Sequence, residues 1–257
     1  TAEVAGNIAN VTDITAAFSG TITDSLANLA DSGSISTNFS RAKGDDGDVN
    51  VVVSDATGTL SAADLGAVTA KTSGTVTLDN AQTISGSGAE LIAALKTNAA
   101  TLSAASTATV TSAVTAAVAA EIAAIASITL DSSGSGTITD SLANLLNDGQ
   151  TAISTDFSNA RAEDTDVNVV INDGTGTIDA AKLSLITAKT GGTVTLQSAQ
   201  TISGTGTEVT AALITDAVTL GAASNATVTG NVTAEVAGNI ANVTDITAAF
   251  SGTITDS

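Results

Sequence analysis

Apolar and polar residues alternate at period two over short runs, and between those runs the apolar positions fall three and four apart. Residues 75–78 (TVTL) and 107–111 (TATVT) put Val and Leu on one face of an extended chain and Thr on the other. Leu65 with Val68, Leu91 with Leu95, and Val114, Val118, Ile122 and Ile125 form apolar stripes at helical spacing. Ser87-Gly-Ala-Glu90 and Thr205-Gly-Thr-Glu208 fit the S/T-x-x-E pattern, in which hydroxyl and carboxylate satisfy free backbone N–H groups at a helix start. Helices this short cannot stand alone and must pack on neighbouring strands.

These pieces recur in order as strand, turn, strand and helix. From residue 49 the chain reads VNVVV, SDATG, TL, SAADLGAVTAKT, then TVTL, DNAQ, TIS, GSGAELIAALKT. A third coil is ATLSA, AST, ATVT, SAVTAAVAAEIAAIA, and a fourth is SITLD, SSGS, GTITD, SLANLLND. The anchors Val53, Leu78, Leu102 and Leu130 are 25, 24 and 28 residues apart; the next step, to Ile171, is 41 and contains an extra partial coil, AISTDFSNARAEDTD. The pattern predicts a β-rich α/β solenoid: stacked parallel β-strands in coils of about 24–28 residues, with short helices on one face.

A longer period overlies the coils. Residues 1–25 return without a change at 233–257, an offset of 232. GTITDSLANL at 20–29 recurs at 136–145, an offset of 116, and residues 48–60 and 69–91 recur with small changes at an offset of 118. The expected organisation is a continuous array without separate globular domains: 1–18 ends a preceding unit, 19–134 and 135–250 are two units, and 251–257 starts the next. No capping coil is visible, so the array is expected to continue in the same chain or in another copy.

Composition supports a thin, regular core. There is no Pro, Cys, Met, Trp, Tyr or His, and only four Phe, so burial must come from small aliphatic side chains. An apolar content of 43% argues against disorder. Acidic residues outnumber basic ones by 26 to 7, for a net charge of −19, which disfavours nucleic acid and anionic membranes as partners. No apolar run is long enough for membrane insertion as a helix. The lack of His and Cys removes most general-base and nucleophile arrangements, and enzymatic activity is not expected.

Two features carry candidate chemistry. GDDGDV at 44–49 becomes AEDTDV at 162–167, so Asp45, Asp46 and Asp48 correspond to Glu163, Asp164 and Asp166. Three acidic groups in four residues at a turn offer hard oxygen ligands for Ca²⁺; the plainer reading is a solvated turn. T-x-T pairs occur at Thr21/Thr23, Thr75/Thr77, Thr107/Thr109/Thr111, Thr137/Thr139, Thr193/Thr195 and Thr227/Thr229. Stacked on a flat face, such pairs can order water as some antifreeze proteins do; Thr is also the best polar strand former and fills outward positions by default.

The stretches GTVTLDNAQTISGSGAELIAAL and TGTLSAADLGAVTAKTSG resemble the repeats of very large bacterial cell-surface and secreted proteins, in particular the repeat-rich giant proteins of marine cyanobacteria. That resemblance implies an extracellular or cell-surface address and a structural or adhesive role, and it carries over no functional residues. The expected function is a stiff repeat segment of an extracellular filament or giant surface protein. Its partners would be adjacent repeats or other copies of itself, end to end. The alternatives are a calcium-rigidified adhesin stalk and an ice-binding solenoid.

Overall fold

The chain is an α/β protein in which short helices accompany several parallel-stranded sheets. The computed structural model describes residues 1–12, 14–102, 105–131 and 136–256. The chain divides into two units, Thr1–Ser112 with Glu121–Ser135 and Ala113–Ala120 with Gly136–Ser257.

The first unit starts with α1 (Ala2–Ala9), β1 (Thr21–Asp24), the single turn α2 (Leu26–Leu29), a small hairpin β2 (Ala30–Asp31) and β3 (Ser34–Ile35), and α3 (Thr37–Asp45). Three strand pairs follow: β4 (Asn50–Val53) and β5 (Thr59–Ser61) before α4 (Ala62–Thr69), β6 (Val76–Leu78) and β7 (Thr83–Gly86) before α5 (Gly88–Ile92), and β8 (Thr101–Leu102) with β9 (Ser106–Val110). Helix α6 (Ala116–Ala123), which the division between units crosses, leads into β10 (Ile128–Asp131). The strands form two parallel sheets, ordered β1-β4-β6-β8 and β10-β9-β7-β5.

The second unit repeats the scheme. It contains β11 (Thr137–Asp140), α7 (Leu142–Leu145), α8 (Thr155–Glu163), β12 (Asn168–Ile171), β13 (Gly176–Asp179), α9 (Ala180–Thr187), β14 (Val194–Leu196), β15 (Gln200–Thr205) and α10 (Gly206–Thr210). After these come β16 (Thr219–Leu220), β17 (Ser224–Thr229), β18 (Val232–Thr233), α11 (Ala234–Ala241), β19 (Ile246–Phe250) and β20 (Ile254–Thr255). Its parallel sheets are β11-β12-β14-β16, β13-β15-β17-β19 and β18-β20.

Strand alternation sets the core. Val51 faces Val76, and Val53 faces Leu78, which faces Leu102. In the second unit the same rank is Ile171, Leu196, Leu220. The other sheets line up Leu60, Ile84 and Ala108, and Ile178, Ile202 and Ala226. All but Leu102 and Leu220 are buried, as period-two burial of one face requires.

The expected helices are present with local changes. Both capping boxes form: Ser87 and Thr205 accept the N–H of Glu90 and Glu208, and each carboxylate accepts the N–H of its N-cap residue at 2.8 Å. Leu91 and Leu95 are buried together, although the chain widens to a π-helical turn over Ala93–Thr97, mirrored at Ala211–Thr215.

Three expectations are corrected. Leu130 does not continue the Val53–Leu78–Leu102 rank; it faces Ala108 in the second sheet. Short alternating strands fit either sheet equally well, so spacing alone cannot assign them. In α6 the buried positions are Ala116, Ala119, Ala120 and Ile122, whereas Val114 precedes the helix and bridges to Ile138. The partial coil AISTDFSNARAEDTD contains α8, a nine-residue helix whose Phe157 is fully buried, as is Phe39 in α3. The expected turn SSGS of the fourth coil lies outside the described residues.

Candidate functional site

Carboxylates supply the most distinctive chemistry in the fold, and most of those described in this section face backbone N–H groups of a neighbouring segment. Asp24 ends β1 and accepts the N–H of Ala2 at the start of α1, at 2.9 Å; Asp140 ends β11 and accepts the N–H of Ala116 at the start of α6, at 3.1 Å. Asp55 and Asp173 accept from Leu26 and Leu142 at the starts of α2 and α7, at 2.7 and 2.8 Å. A helix N-terminus leaves N–H groups unpaired and carries partial positive charge, so an acidic oxygen from another segment fits it. Burial opposes the charge on Asp24, but hydrogen bonds from Asn28, Ala2 and Ser25 outweigh it and hold the carboxyl below its usual value.

The six acidic loop residues occupy matching places with different partners. Asp45 ends α3 and accepts the N–H of Ala16 at 2.9 Å; Asp46, the next residue, accepts the N–H of Phe18 at 2.7 Å. Asp48 is exposed, and its carboxyl lies against that of Asp46. Their side-chain hydrogen bond, then the N–H of Phe18, hold Asp46 below the usual carboxylate range, while the same hydrogen bond and the charge of Asp46 push Asp48 above it. In the second unit Glu163 ends α8 and is exposed, Asp164 is buried and accepts the N–H of Asp166 at 3.3 Å, and Asp166 is exposed. One oxygen each of Asp45 and Asp46 is thus engaged by backbone rather than turned to a common centre. Among the described residues no group of three or more acidic side chains converges as metal ligands.

Threonines do align. Thr59, Thr83, Thr107 and Thr129 face one another across four parallel strands, and Ser61, Ser85 and Thr109 form the adjoining rank. In the second unit the corresponding rank is Thr177, Thr201, Asn225 and Thr247, so one Asn interrupts it. On the other sheets the ranks are mixed: Thr23, Val52, Thr77 and Thr101.

Sequence reasoning passed over a buried glutamine. Gln82 sits in the bend between β6 and β7, donates from Nε2 to the carbonyls of Asp55 and Ala56 at 3.0 and 3.2 Å, and accepts the N–H of Gly58 at 3.0 Å. Its own N–H goes to the Ser106 hydroxyl at 3.1 Å, so one residue ties three successive bends together. Gln200 repeats the donated bonds, to the carbonyls of Asp173 and Gly174 and to the Ser224 hydroxyl, but its buried Oε1 has no hydrogen-bond partner. The signal was available: AQTIS stands in both copies, and Gln is otherwise scarce in the chain.

The chain matches no known family, no curated protein and no solved structure. Among the described residues no helix is long and apolar enough to cross a membrane.

Proposed function

We propose that this chain is a structural repeat segment of an extracellular filament or giant cell-surface protein, built as a β-rich α/β solenoid whose coils stack end to end. The observation that carries the reading is the in-register rank Val53, Leu78, Leu102 and its copy Ile171, Leu196, Leu220. A strand that pairs in parallel with its counterpart one coil later can be extended by further coils without changing any contact already made. Side-chain ties between coils support it: Asn50 and Asn168 each accept the N–H and hydroxyl of a Thr 25 residues on. The surplus of acidic groups would limit lateral clumping. The test is electron microscopy of the protein with its axial spacing read by Fourier transform. A thin rod with a layer line near ~4.8 Å supports the reading, and discrete particles without it overturn it.

The aligned rank Thr59, Thr83, Thr107 and Thr129 favours a second reading, ice binding. Thermal hysteresis with faceted crystals at micromolar protein supports it; round discs end it.

A further inference from the structure

Strand β13 stands at one edge of its sheet and pairs on one side only, with β15. In a parallel pair, alternate residues turn both backbone groups toward the same neighbour. Thr83 donates its N–H to the Gly58 carbonyl at 2.8 Å, so Gly58 and Leu60 face β7, and Thr59 between them faces away. Gly176, Thr177 and Ile178 hold the same places 118 residues later. Thr177 therefore turns its N–H and C=O outward, and Asp179 its N–H. Among the described residues no other segment's backbone bonds to these groups.

The bare edge follows from the partial coil. Before β13 the chain supplies β11 to the neighbouring sheet, then α7, a bridge between Leu146 and Ile153, and α8, but no strand for the sheet of β13. A cleft of about 250 Å³ separates the edge from α7, lined by Leu142, Gln150, Asp173, Thr177, Asp179 and Lys182. Gly176, Thr177 and Asp179 are exposed, whereas Ile178 is buried.

The charges in the cleft are unequal. Asp173 and Asp179 each place one carboxylate oxygen on a backbone N–H, of Leu142 and Ala181, and the other oxygen has no partner among the described residues. Lys182 is already engaged, its Nζ donating to Gln150 Oε1 at 2.6 Å. The chain as a whole carries a charge of −19. The edge thus offers strand-forming backbone groups beside two carboxylates, in a field that draws cations.

We propose that β13 takes an extended basic segment of a partner protein as an added strand. The segment's backbone bonds to the N–H and C=O of Thr177 and the N–H of Asp179, and a Lys or Arg side chain meets Asp173 and Asp179. The net charge disfavours a second copy of this chain as the occupant. The site lies inside one unit, with the coils before and after it in place, and it stands or falls independently of the filament reading.

The test is fluorescence anisotropy of a labelled Lys-Thr-Val-Thr-Lys peptide titrated with the full chain, and binding should saturate below millimolar concentration. Thr177→Pro removes the outward N–H at a sheet edge, where proline is tolerated, and should weaken binding about tenfold without lowering the melting temperature. Asp179→Asn keeps a side-chain oxygen for the helix cap, removes the charge and should weaken binding about threefold. If the proline variant does not fold, the peptide carries the test: methylation of alternate backbone nitrogens, in one of the two phases, should abolish binding to the parent chain. Undiminished binding to folded Thr177→Pro chain, or of the methylated peptide in both phases, overturns the added strand. Equal binding of Glu-Thr-Val-Thr-Glu overturns the choice of a basic partner, and no binding at millimolar peptide overturns the proposal outright. So does self-association of the parent that Thr177→Pro abolishes, read by sedimentation velocity, which would give the edge to a second copy.

Discussion

The carboxylate of Asp140 accepts the backbone N–H of Ala116, 24 residues earlier, and so ties the end of one strand to the start of a helix in the preceding coil. The same carboxylate also accepts from Ser141 N–H and Asn144 Nδ2 at 2.9 and 2.7 Å. Asp140→Ala should therefore cost about 1–2 kcal/mol, the range for loss of a helix cap, and lower the urea midpoint without changing the slope. Asp140→Asn should cost less, because its side-chain oxygen can still cap.

Acid should destabilise the fold below about pH 4.5. Hydrogen bonds hold Asp24, Glu90 and Glu208 below their ordinary values of 3.8, 4.5 and 4.5. Groups with depressed values in the folded state contribute stability that is full above the unfolded values and lost as pH falls through the folded ones. The Asp46–Asp48 pair acts in both directions: Asp46 is lowered and adds to the loss, whereas Asp48 is raised and regains stability as it is protonated. The melting temperature should be flat from pH 5 to 7 and fall below that window, and a melting temperature that rises on acidification would contradict this balance.

Gly74 and Gly192 mark close approaches of two backbone segments. A Cβ at Gly74 would meet the carbonyls of Asp48 and Val49, and one at Gly192 would meet those of Asp166 and Val167. Backbone cannot yield as a flexible side chain can, so Gly74→Ala should destabilise by about 1–3 kcal/mol. The control is Gly44→Ala, where open space surrounds the position. Paired chemical denaturation curves would separate the two.

Ala99 and Ala217 follow the π-helical turns with φ of +48° and +49°. An L-residue pays about 1–2 kcal/mol to sit in this left-handed region, and glycine does not. Ala217→Gly should raise stability by roughly 0.5–1 kcal/mol after the greater chain entropy of glycine is set against that relief. A melting temperature below that of the parent would show that the alanine methyl makes a compensating contact.

What was legible in the sequence followed from short-range rules. Alternation located the strands around Val76 and Ala108, and the S/T-x-x-E pattern located both capped helices, because each feature is decided by residues within one or two turns. Placement of Leu130 was not legible, since inward Leu and Val serve either sheet and only pairing with Ala108 distinguishes them. Helices α3 and α8 were missed because their burial depends mainly on one Phe and one Ala, too few positions for a stripe. The backbone contacts of Asp45 and Asp46 were hidden for another reason: their partners, Ala16 and Phe18, lie 28 or 29 residues away and offer only backbone N–H groups, which leave no mark in the sequence.

The pairing of each strand with the one about two dozen residues later also sets how the chain would respond to tension. Each coil is held mainly by its immediate neighbours, so a pulled chain would surrender rungs one after another instead of giving way at once. Each rung lost pays out about 80 Å of slack, the contour length of roughly 24 extended residues. Single-molecule force curves should show steps of that size, and a single large step would contradict this rung-by-rung release.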